Sequence, residues 1–451
     1  MSPIGSTDAP AGNACTTPPP PTSRRPMSRR SFVSTATAIG GAAAGAMVHT
    51  STAAAEGFRE LRLAVVGCGG RGRGAINDSL SVNDGVKLVA AADLSLSKCA
   101  ALRKMMQEAH ADKVALEEAR MHGGLDGYRR ILDDPDVDVV LFATSPGFRP
   151  IHLRDAVEAG KHVFAEKPAC VDPAGYRLCL AAHDAAVARG TAIVTGTQYR
   201  RQVNYAGAVE QLRQGAIGDV IGATTRYCGG GIWYRPRTEG MSDAEYQLTN
   251  WMHFIWLSGD QIVEQAVHNL DTVNWIMGSN PVSAVGSGGR FTRPDDSEMW
   301  DSVSVDYEYP DRRFVSFTCR QIPGAAVDVG TVVYGTQGQC HIDGANGGSR
   351  IFDRSGVQVW DMAGSIAAAY RQEHRDLVDS IRAERPIVEL RQMADSSLVA
   401  VLGRMAAYTG QRVTWNFAAG ESKLDLFPKD LSWQSSLPKP RHAIPGKTPL
   451  I

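Results

Sequence analysis

Three residues in one stretch of the 451-residue chain have the types that proton transfer requires. Glu264, His268 and Asp271 recur at helical spacing, which places them on one face of the single helix predicted over 260–277. A carboxylate beside an imidazole orients it and tunes its pKa, so His268 is a candidate general base. A surface ion-pair face, or a core histidine with satisfied hydrogen bonds, would give the same pattern.

A glycine-rich turn is the second candidate for chemistry. It follows the apolar run 61–66 and precedes a helix-compatible segment, which makes a strand, a G-x-G-x-x-G turn and a helix. In such a turn the first glycine permits the tight bend, the second lets the backbone approach a pyrophosphate, and the third lets helix pack on strand. A loop in a chain with 46 glycines is the alternative. The candidate cofactor contacts here are Gly67, Gly69, Gly70, Arg71 and Gly72.

An acid follows the next predicted strand. Asp93 ends the apolar run 86–92, at the distance from the turn where a carboxylate accepts from the ribose hydroxyls of a dinucleotide. A carboxylate there repels a 2'-phosphate, so NAD is favoured over NADP. Ser95, Ser97 and Lys98 keep NADP possible, and capping of the following helix is an alternative role for Asp93.

The elements that must position these residues alternate along the first half of the chain. Further strands are predicted over 137–142, 162–164 and 192–195, and helices over 151–159 and 173–189. This alternation predicts a doubly wound parallel sheet in an α/β fold, with ligand at the carboxyl ends of the strands. Thr144, Glu166 and Lys167 each follow a strand end, so we expect them to face a cofactor.

The second half reads as an extended sheet with helices. Strands are predicted over 220–227, 303–309, 314–319 and 331–334, and helices over 203–214, 370–382 and 392–408. Between them, the segment 229–256 is rich in aromatic residues, with Trp233 and Arg235 as candidate sugar contacts. The same aromatic residues would serve equally well as anchors of a subunit interface.

The chain resembles the glucose-fructose oxidoreductase/inositol dehydrogenase (Gfo/Idh/MocA) family. The resemblance rests on EAGKHVFAEKP at 158–168, on the glycine turn, and on the segments 198–201, 250–271 and 405–410. It implies an N-terminal Rossmann domain and a C-terminal α/β domain with a large open, mostly antiparallel sheet. It also implies a sugar or polyol substrate and a homo-oligomer. The expected divisions are a leader (1–55), a dinucleotide domain (56–190), a substrate and oligomerisation domain (191–425) and a Pro-rich tail (426–451).

The resemblance also implies roles for single residues. Lys167 would lie beside the nicotinamide and the reacting carbon. Pro168 would fix the turn, through either a trans or a cis peptide bond. His268 inherits the acid/base role. The family pattern has Asp where this chain has Glu264, so its contact with substrate or nicotinamide is open. Gln198 is implied as a cofactor contact, and the implied substrate contacts are Tyr199, Glu264 and Asp271.

The overall charge is nearly balanced, with 47 basic and 48 acidic side chains. This balance gives no electrostatic footprint for nucleic acid, so no nucleic-acid partner is expected. The charge is unevenly distributed, because residues 1–55 carry a net +3 and the remaining 396 residues a net −4. A cationic leader therefore precedes a mildly acidic body.

The leader has the parts of an export signal. Arg29 and Arg30 stand beside Ser and Phe, uncharged Ala- and Gly-rich sequence follows, and an A-x-A site precedes Glu56. This looks like a twin-arginine signal, which implies the twin-arginine export machinery as a partner and a periplasmic or extracytoplasmic protein. A disordered leader is the alternative, and Met27 is a hypothetical true start. No later segment has the length and hydropathy of a stable membrane span.

The cysteines give no metal site. None of the eight forms a C-x-x-C pair, so zinc is unsupported and no metal is expected. Because twin-arginine export carries folded protein, folding would occur in the reducing cytoplasm. Free, buried thiols are therefore expected.

These residues together predict hydride transfer at a CH–OH group of a sugar or polyol, with NAD bound tightly and recycled because an exported enzyme meets no NAD pool. Two alternatives remain at this point. One is an NAD-dependent glycoside hydrolase or lyase that oxidises its substrate transiently. The other is a non-catalytic NAD-binding sensor.

Overall fold

The structure is a computed structural model that describes residues 59–451. The expected leader, its twin-arginine signal and the start at Met27 lie outside the described residues. Within residues 59–451, no helix combines the length and the apolar composition needed to cross a membrane.

The first sheet of the described chain has six strands, all parallel, in the order β3-β2-β1-β4-β5-β6. Its strands are almost continuously buried, as expected where helices cover both faces. The predicted doubly wound sheet is confirmed, and its order reverses between β1 and β4, where a crevice forms. The strands are β1 Leu61–Val66, β2 Val86–Asp93, β3 Met121–Gly123, β4 Val139–Phe142, β5 His162–Ala165 and β6 Ile193–Thr195. Sequence reading missed β3, which has only three residues.

Local signals in the sequence define the helices of this half. At α5, for example, the Asp172 side chain accepts from the Gly175 amide, Pro173 occupies the first turn, and Gly190 ends the helix with a φ of 67°. The bounds of α5 therefore match the prediction. The helices are α1 Gly70–Val82, α2 Leu96–Ala109, α3 Gly127–Leu132, α4 Arg149–Glu158 and α5 Pro173–Arg189.

The second sheet has nine strands in the described chain, in the order β14-β13-β12-β11-β7-β10-β9-β8-β15. Every pairing is antiparallel except that of β7 with β10, which confirms the expected open, mostly antiparallel sheet. Burial alternates along β10 because one face meets helices and the other meets solvent. The strands are β7 Val220–Gly229, β8 Ser283–Gly289, β9 Ser302–Glu308, β10 Phe314–Gln321, β11 Asp328–Gly335, β12 Gly338–Asp343, β13 Ser349–Asp353, β14 Gln358–Met362 and β15 Val413–Thr414.

The helices of this half divide their packing between the two sheets. Helices α6, α10 and α12 cover one face of the second sheet, whereas α11 returns to pack against α1 and β6 of the first. The dinucleotide half is thus completed by a helix far along the chain. The helices are α6 Val203–Arg213, α7 Asp243–Thr249, α8 Ile255–Ser258, α9 Gln261–Glu264, α10 Val267–Met277, α11 Ile366–Arg382 and α12 Leu390–Thr409.

The single helix predicted over 260–277 is wrong, because α9 and α10 are separate helices. The Ala266 amide donates to the carbonyl of Gln261, five residues back, and so widens the turn between them. The apolar periodicity runs on through the break, so it concealed the interruption. The break turns Glu264 and His268 relative to each other, and their placement departs from simple helical spacing.

Candidate active site

A cavity of about 470 Å³ opens at the carboxyl ends of the parallel strands, in the crevice where the strand order reverses. The first half contributes the glycine turn and the strand-end residues, and the second half contributes side chains from β7, α7, α9, α10 and α11. The expected site residues that line it are Gly67, Gly69, Gly70, Arg71, Asp93, Thr144, Glu166, Lys167, Gln198, Glu264 and His268.

The glycine turn has room for a ligand only where a dinucleotide would approach it. A Cβ on Gly67, whose φ is 95°, would lie 2.7 Å from the Ala143 carbonyl, and one on Gly72 would lie 1.8 Å from the Gly67 oxygen. A Cβ on Gly69 or Gly70 would meet nothing within 4 Å. Gly72 therefore serves the packing of α1 on β1 and does not line the cavity, whereas the amides of Gly69 and Gly70 are open to a pyrophosphate.

Asp93 links the end of β2 to the glycine turn. Its Oδ2 accepts from the Cys68 amide at 2.8 Å and its Oδ1 from the Ser95 amide at 3.1 Å. These bonds hold the carboxylate at the cavity wall, where it would face a ribose. The Lys98 ammonium lies 3.5 Å from Oδ1, so a positive charge stands beside the acid.

Lys167 joins the two halves of the molecule. It follows β5, precedes Pro168 through a cis peptide bond as anticipated, and donates to Oε1 of Glu264 at 2.9 Å and to the Glu264 carbonyl. The two side chains are 13% and 11% exposed. Glu264 lines the cavity, and its buried Oε2 has no hydrogen-bond partner among residues 59–451.

His268 faces the cavity as a neutral base. Its ring packs against Tyr199, with centroids 5.2 Å apart, and accepts or donates no hydrogen bond within the described chain. Burial, with the positive charges of Lys167 and Arg71 nearby, holds the pKa of the imidazole well below its usual range. The ring is therefore unprotonated at neutral pH, as proton abstraction requires.

The structure does not bring Asp271, an expected substrate contact, into the cavity lining. Its buried carboxylate accepts from the Arg200 guanidinium at 2.9 Å and from the Ser396 hydroxyl at 2.6 Å, away from the cavity lining. It consequently neither orients nor tunes His268. The bond with Ser396 instead ties α10 to α12. The bonds with Arg200 give a partly buried guanidinium its charged partner.

Tyr199 also lies outside the cavity lining, which corrects its expected role as a substrate contact. Its ring stacks on Tyr205 with centroids 4.3 Å apart and also packs near His268, with centroids 5.2 Å apart. Tyr199 thus supports the histidine from behind.

The aromatic segment contributes a different residue from those expected. Trp233 is 42% exposed, Arg235 has its guanidinium 5.5 Å from the Trp233 ring, and neither lines the cavity. Trp251 does line it, with its ring 6.5 Å from that of Trp233. Asn250 fixes this arrangement by bonding the Arg235 amide and carbonyl, each at 2.9 Å. Trp233 and Arg235 are therefore corrected to residues of the loop behind Trp251.

The remaining expected cofactor contacts form one wall. Arg71 donates through Nε to Glu166, and its guanidinium lies 4.3 Å from the centre of the Tyr370 ring. The Tyr370 hydroxyl accepts from Gln198 at 3.3 Å. Thr144 continues the wall through a 3.2 Å contact between its hydroxyl and His152.

Sequence reasoning missed several residues of the cavity because they come from distant segments. Tyr370 reaches it from α11, and the Tyr227 hydroxyl on β7 donates to Gln265 at 3.1 Å. Burial raises the pKa of Tyr370 to about 12, so its phenol stays protonated. The packing of α11 and β7 brings these side chains to the site, and no local sequence pattern predicts that packing.

Arg149 was missed too. It is 2% exposed, lines the cavity, and donates to the carbonyls of Thr144 and Pro168, which follow β4 and β5. Complete burial lowers the pKa of its guanidinium to about 10, so it remains charged. Arg149 thus holds the two strand-end loops at a fixed separation and positions Lys167.

The described residues include no group of three or more His, Cys, Asp or Glu side chains arranged to hold a metal ion. The seven cysteines of residues 59–451 are buried and unpaired, as expected for free thiols. Cys15 lies outside the described residues.

Comparison with known proteins identifies two family models along the chain. The model described as "Oxidoreductase family, NAD-binding Rossmann fold" matches residues 61–190, and the GFO/IDH/MocA C-terminal domain matches residues 205–341. Together they cover more than half of the chain.

Curated relatives match over most of their own length. Inositol 2-dehydrogenase 3 of Saccharopolyspora erythraea is 26% identical over 361 residues, covering 78% of this chain and 90% of that protein. Inositol 2-dehydrogenase of Burkholderia multivorans is 24% identical, covering 72% of this chain and 87% of that protein.

Solved structures share the fold. Scyllo-inositol dehydrogenase from Lactobacillus casei, with bound NAD(H) and scyllo-inositol, has a TM-score of 0.61 and 17% identity over 79% of this chain and 99% of that chain. Aldose-aldose oxidoreductase from Caulobacter crescentus, complexed with glycerol, has a TM-score of 0.60 and 20% identity over 79% of this chain and 100% of that chain.

Arg149 provides a test of the site's geometry. We expect Arg149→Met to lower the free energy of unfolding by about 2–4 kcal/mol, because two buried carbonyls lose their donor. Urea denaturation measures this change. Arg154→Met, on the same helix but 40% exposed at its side chain, should stay within about 0.5 kcal/mol of the unmodified protein. Equal effects of the two substitutions would show that Arg149 has no special structural role.

Proposed function

The chain belongs to the Gfo/Idh/MocA family of oxidoreductases, and from that premise we propose that it is an NAD-dependent dehydrogenase acting on a CH–OH group of a polyol or related sugar. One observation carries the proposal. A neutral histidine and a lysine from opposite halves of the molecule face the same cavity as an open glycine turn.

The residues present fit a dinucleotide along the first half of the cavity. The amides of Gly69 and Gly70 would hold its pyrophosphate, with the start of α1 contributing its dipole, and Asp93 would accept from a ribose. Gln198 and Lys167 line the same cavity. A nicotinamide held there would supply the hydride acceptor for oxidation of the substrate carbon.

The chain's own residues manage the proton and the charge. The neutral imidazole of His268 accepts the proton of the substrate hydroxyl. The Lys167 ammonium donates a hydrogen bond to the same oxygen and stabilises the negative charge that develops there. Glu264 holds that ammonium in place through its Oε1, so the donor is oriented before the substrate arrives.

The chemistry of the cavity favours a substrate with several hydroxyl groups. Glu264, the Gln265 amide and the Tyr227 hydroxyl all line the cavity and offer polar groups to hydroxyls beside the one that reacts. Two relatives are named for inositol, a cyclic polyol, which supports the same class.

The two alternative functions receive no support of this kind. Transient oxidation in a glycoside hydrolase or lyase would use the same residues but needs a group that assists departure of a glycosidic oxygen. Among the described residues that line the cavity, none has contacts that mark it as such a group. The presence of both His268 and Lys167 weighs against a sensor without catalysis.

We propose that the protein is exported by the twin-arginine machinery and works in the periplasm or outside the cytoplasm. The support is the sequence alone: paired Arg29 and Arg30, the uncharged segment and the A-x-A site. Residues 1–55 fused to a fluorescent protein that must fold before export should carry it out of the cytoplasm. The same fusion with both arginines changed to Lys should stay in the cytoplasm. Export that persists after this change would contradict the proposal.

We also propose that the open face of the second sheet joins copies of the chain. Phe314 of β10 and Tyr334 of β11 flank Gly222 of β7 in register, and their residues are 55% and 38% exposed. Apolar surface of this kind, standing on a sheet face without helices, is typical of an interface. Phe314→Asp should shift the mass measured by light scattering towards the monomer. An unchanged mass would place any interface elsewhere.

His268 is the decisive test of the catalytic assignment. His268→Ala should lower kcat for polyol oxidation by about 10²–10⁴-fold, because the proton acceptor is lost, while NADH binding stays within about twofold. Absorbance of NADH measures the first quantity and a fluorescence titration the second. His183→Ala, on α5 and outside the cavity, is the matched control and should leave both unchanged.

The pH profile checks the same residue independently. Because the pKa of His268 is lowered in the folded protein, the imidazole stays unprotonated below the ordinary value of about 6.5. The acid limb of kcat/KM should consequently lie at lower pH than the titration of an ordinary imidazole. Full activity of the alanine variant, or cleavage of aryl glycosides without added NAD by the unmodified protein, would overturn the proposed function.

A further inference from the structure

The outer wall of the cavity is apolar beside Asp93. Leu94 and Leu125, which follow β2 and β3, line the cavity and belong to one hydrophobic cluster with Phe148. In a sheet of this order the adenosine half of a dinucleotide lies over β2, the strand that ends in the ribose-binding acid. This cluster therefore borders the adenosine half of the site.

A segment of the second half closes the same cluster from outside. Residues 243–258, which comprise α7, α8 and the turn between them, are called the cover here. Leu248 and Trp251 of the cover line the cavity. The other cover residues in the cluster are Ala244, Tyr246, Phe254, Trp256 and Leu257.

The C-terminal segment 422–438, called the strap here, fixes the cover from above. The Phe427 ring packs edge-on against Phe148 of the first half, with centroids 5.4 Å apart, and against Trp256 of the cover at 5.8 Å. Polar bonds continue the contact. The Leu437 amide donates to Asp243 at 3.2 Å, and the Gln247 side chain donates to the Pro438 carbonyl at 3.3 Å.

The other end of the strap is tied to the dinucleotide half. The Leu426 amide donates to Oδ2 of Asp172, the capping residue of α5, at 2.8 Å, and the Ala174 amide donates to the Leu424 carbonyl at 3.2 Å. The strap thus connects the cover to the first half without passing through the catalytic residues. Moving the cover away from the crevice requires these contacts to break.

We propose that the cover and the strap form the outer wall of the adenosine subsite and set the rate at which the dinucleotide leaves. The inference rests on the proposed function, since it takes NAD as the occupant. An adenosine moiety seated over Asp93 would be enclosed between the Rossmann strands and Trp251 and Leu248. Such a wall suits an enzyme that must keep its cofactor, because release requires the strap to detach.

The test measures release of NADH from the full-length chain. Protein loaded with NADH is mixed with a large excess of NAD, and the loss of protein-bound NADH fluorescence gives the dissociation rate. Phe427→Ala should raise that rate by about tenfold or more, because it removes the strap's ring contacts with both Phe148 and Trp256. Leu437→Ala, which removes another buried strap side chain, should raise it in the same direction.

Phe417→Ala is the matched control. Phe417 lies ten residues before Phe427 and packs against the main core instead of the cover. The Phe417→Ala variant should therefore release NADH at a rate within twofold of that of the unmodified protein. Equal rates for the Phe427, Leu437 and Phe417 variants, with circular dichroism showing all of them folded, would overturn the proposal. Failure of the unmodified protein to bind NADH would instead contradict the proposed function.

Discussion

The ion pair between Lys167 and Glu264 is the contact on which the rest of the site depends. It joins the end of β5 in the dinucleotide half to α9 in the substrate half, with both side chains nearly buried. A buried pair of this kind stabilises only while both partners are present, since either alone would be an uncompensated charge. The pair thus fixes the position of the Lys167 side chain relative to the second half.

Burial, reinforced by the positive charge around this pair, keeps the imidazole of His268 neutral. Lys167 and Arg71 both lower the pKa of His268, while Glu166 and Glu264 accept from Arg71 and Lys167 and face them directly. Neither carboxylate bonds to the imidazole, so neither offsets the effect by stabilising a protonated ring. The site therefore separates its roles: acids orient the cations, and the cations keep the histidine neutral.

Local patterns predicted most of the first half and little of the second half's contribution to the site. Near-continuous apolar strands and capped helices such as α5 depend on neighbouring residues, so sequence reading located them well. The roles of Asp271 and Tyr199 depend on Arg200, Ser396 and Tyr205, which no periodicity connects to them. The break between α9 and α10 escaped notice because hydrophobic spacing reports burial and not the path of the backbone.

The groups proposed to react and the segments proposed to enclose the cofactor lie in different parts of this fold. The catalytic groups stand at strand ends and helix starts that the two sheets fix rigidly, and this precision is what proton and hydride transfer need. The cover and the strap are short helices and irregular chain outside both sheets, held by aromatic edges and a few hydrogen bonds. The strap has few buried side chains, so it opens at lower free energy than the sheets, whereas the cover buries most of its apolar side chains. Cofactor exchange is thereby able to proceed by local detachment while Lys167, Glu264 and His268 keep their places.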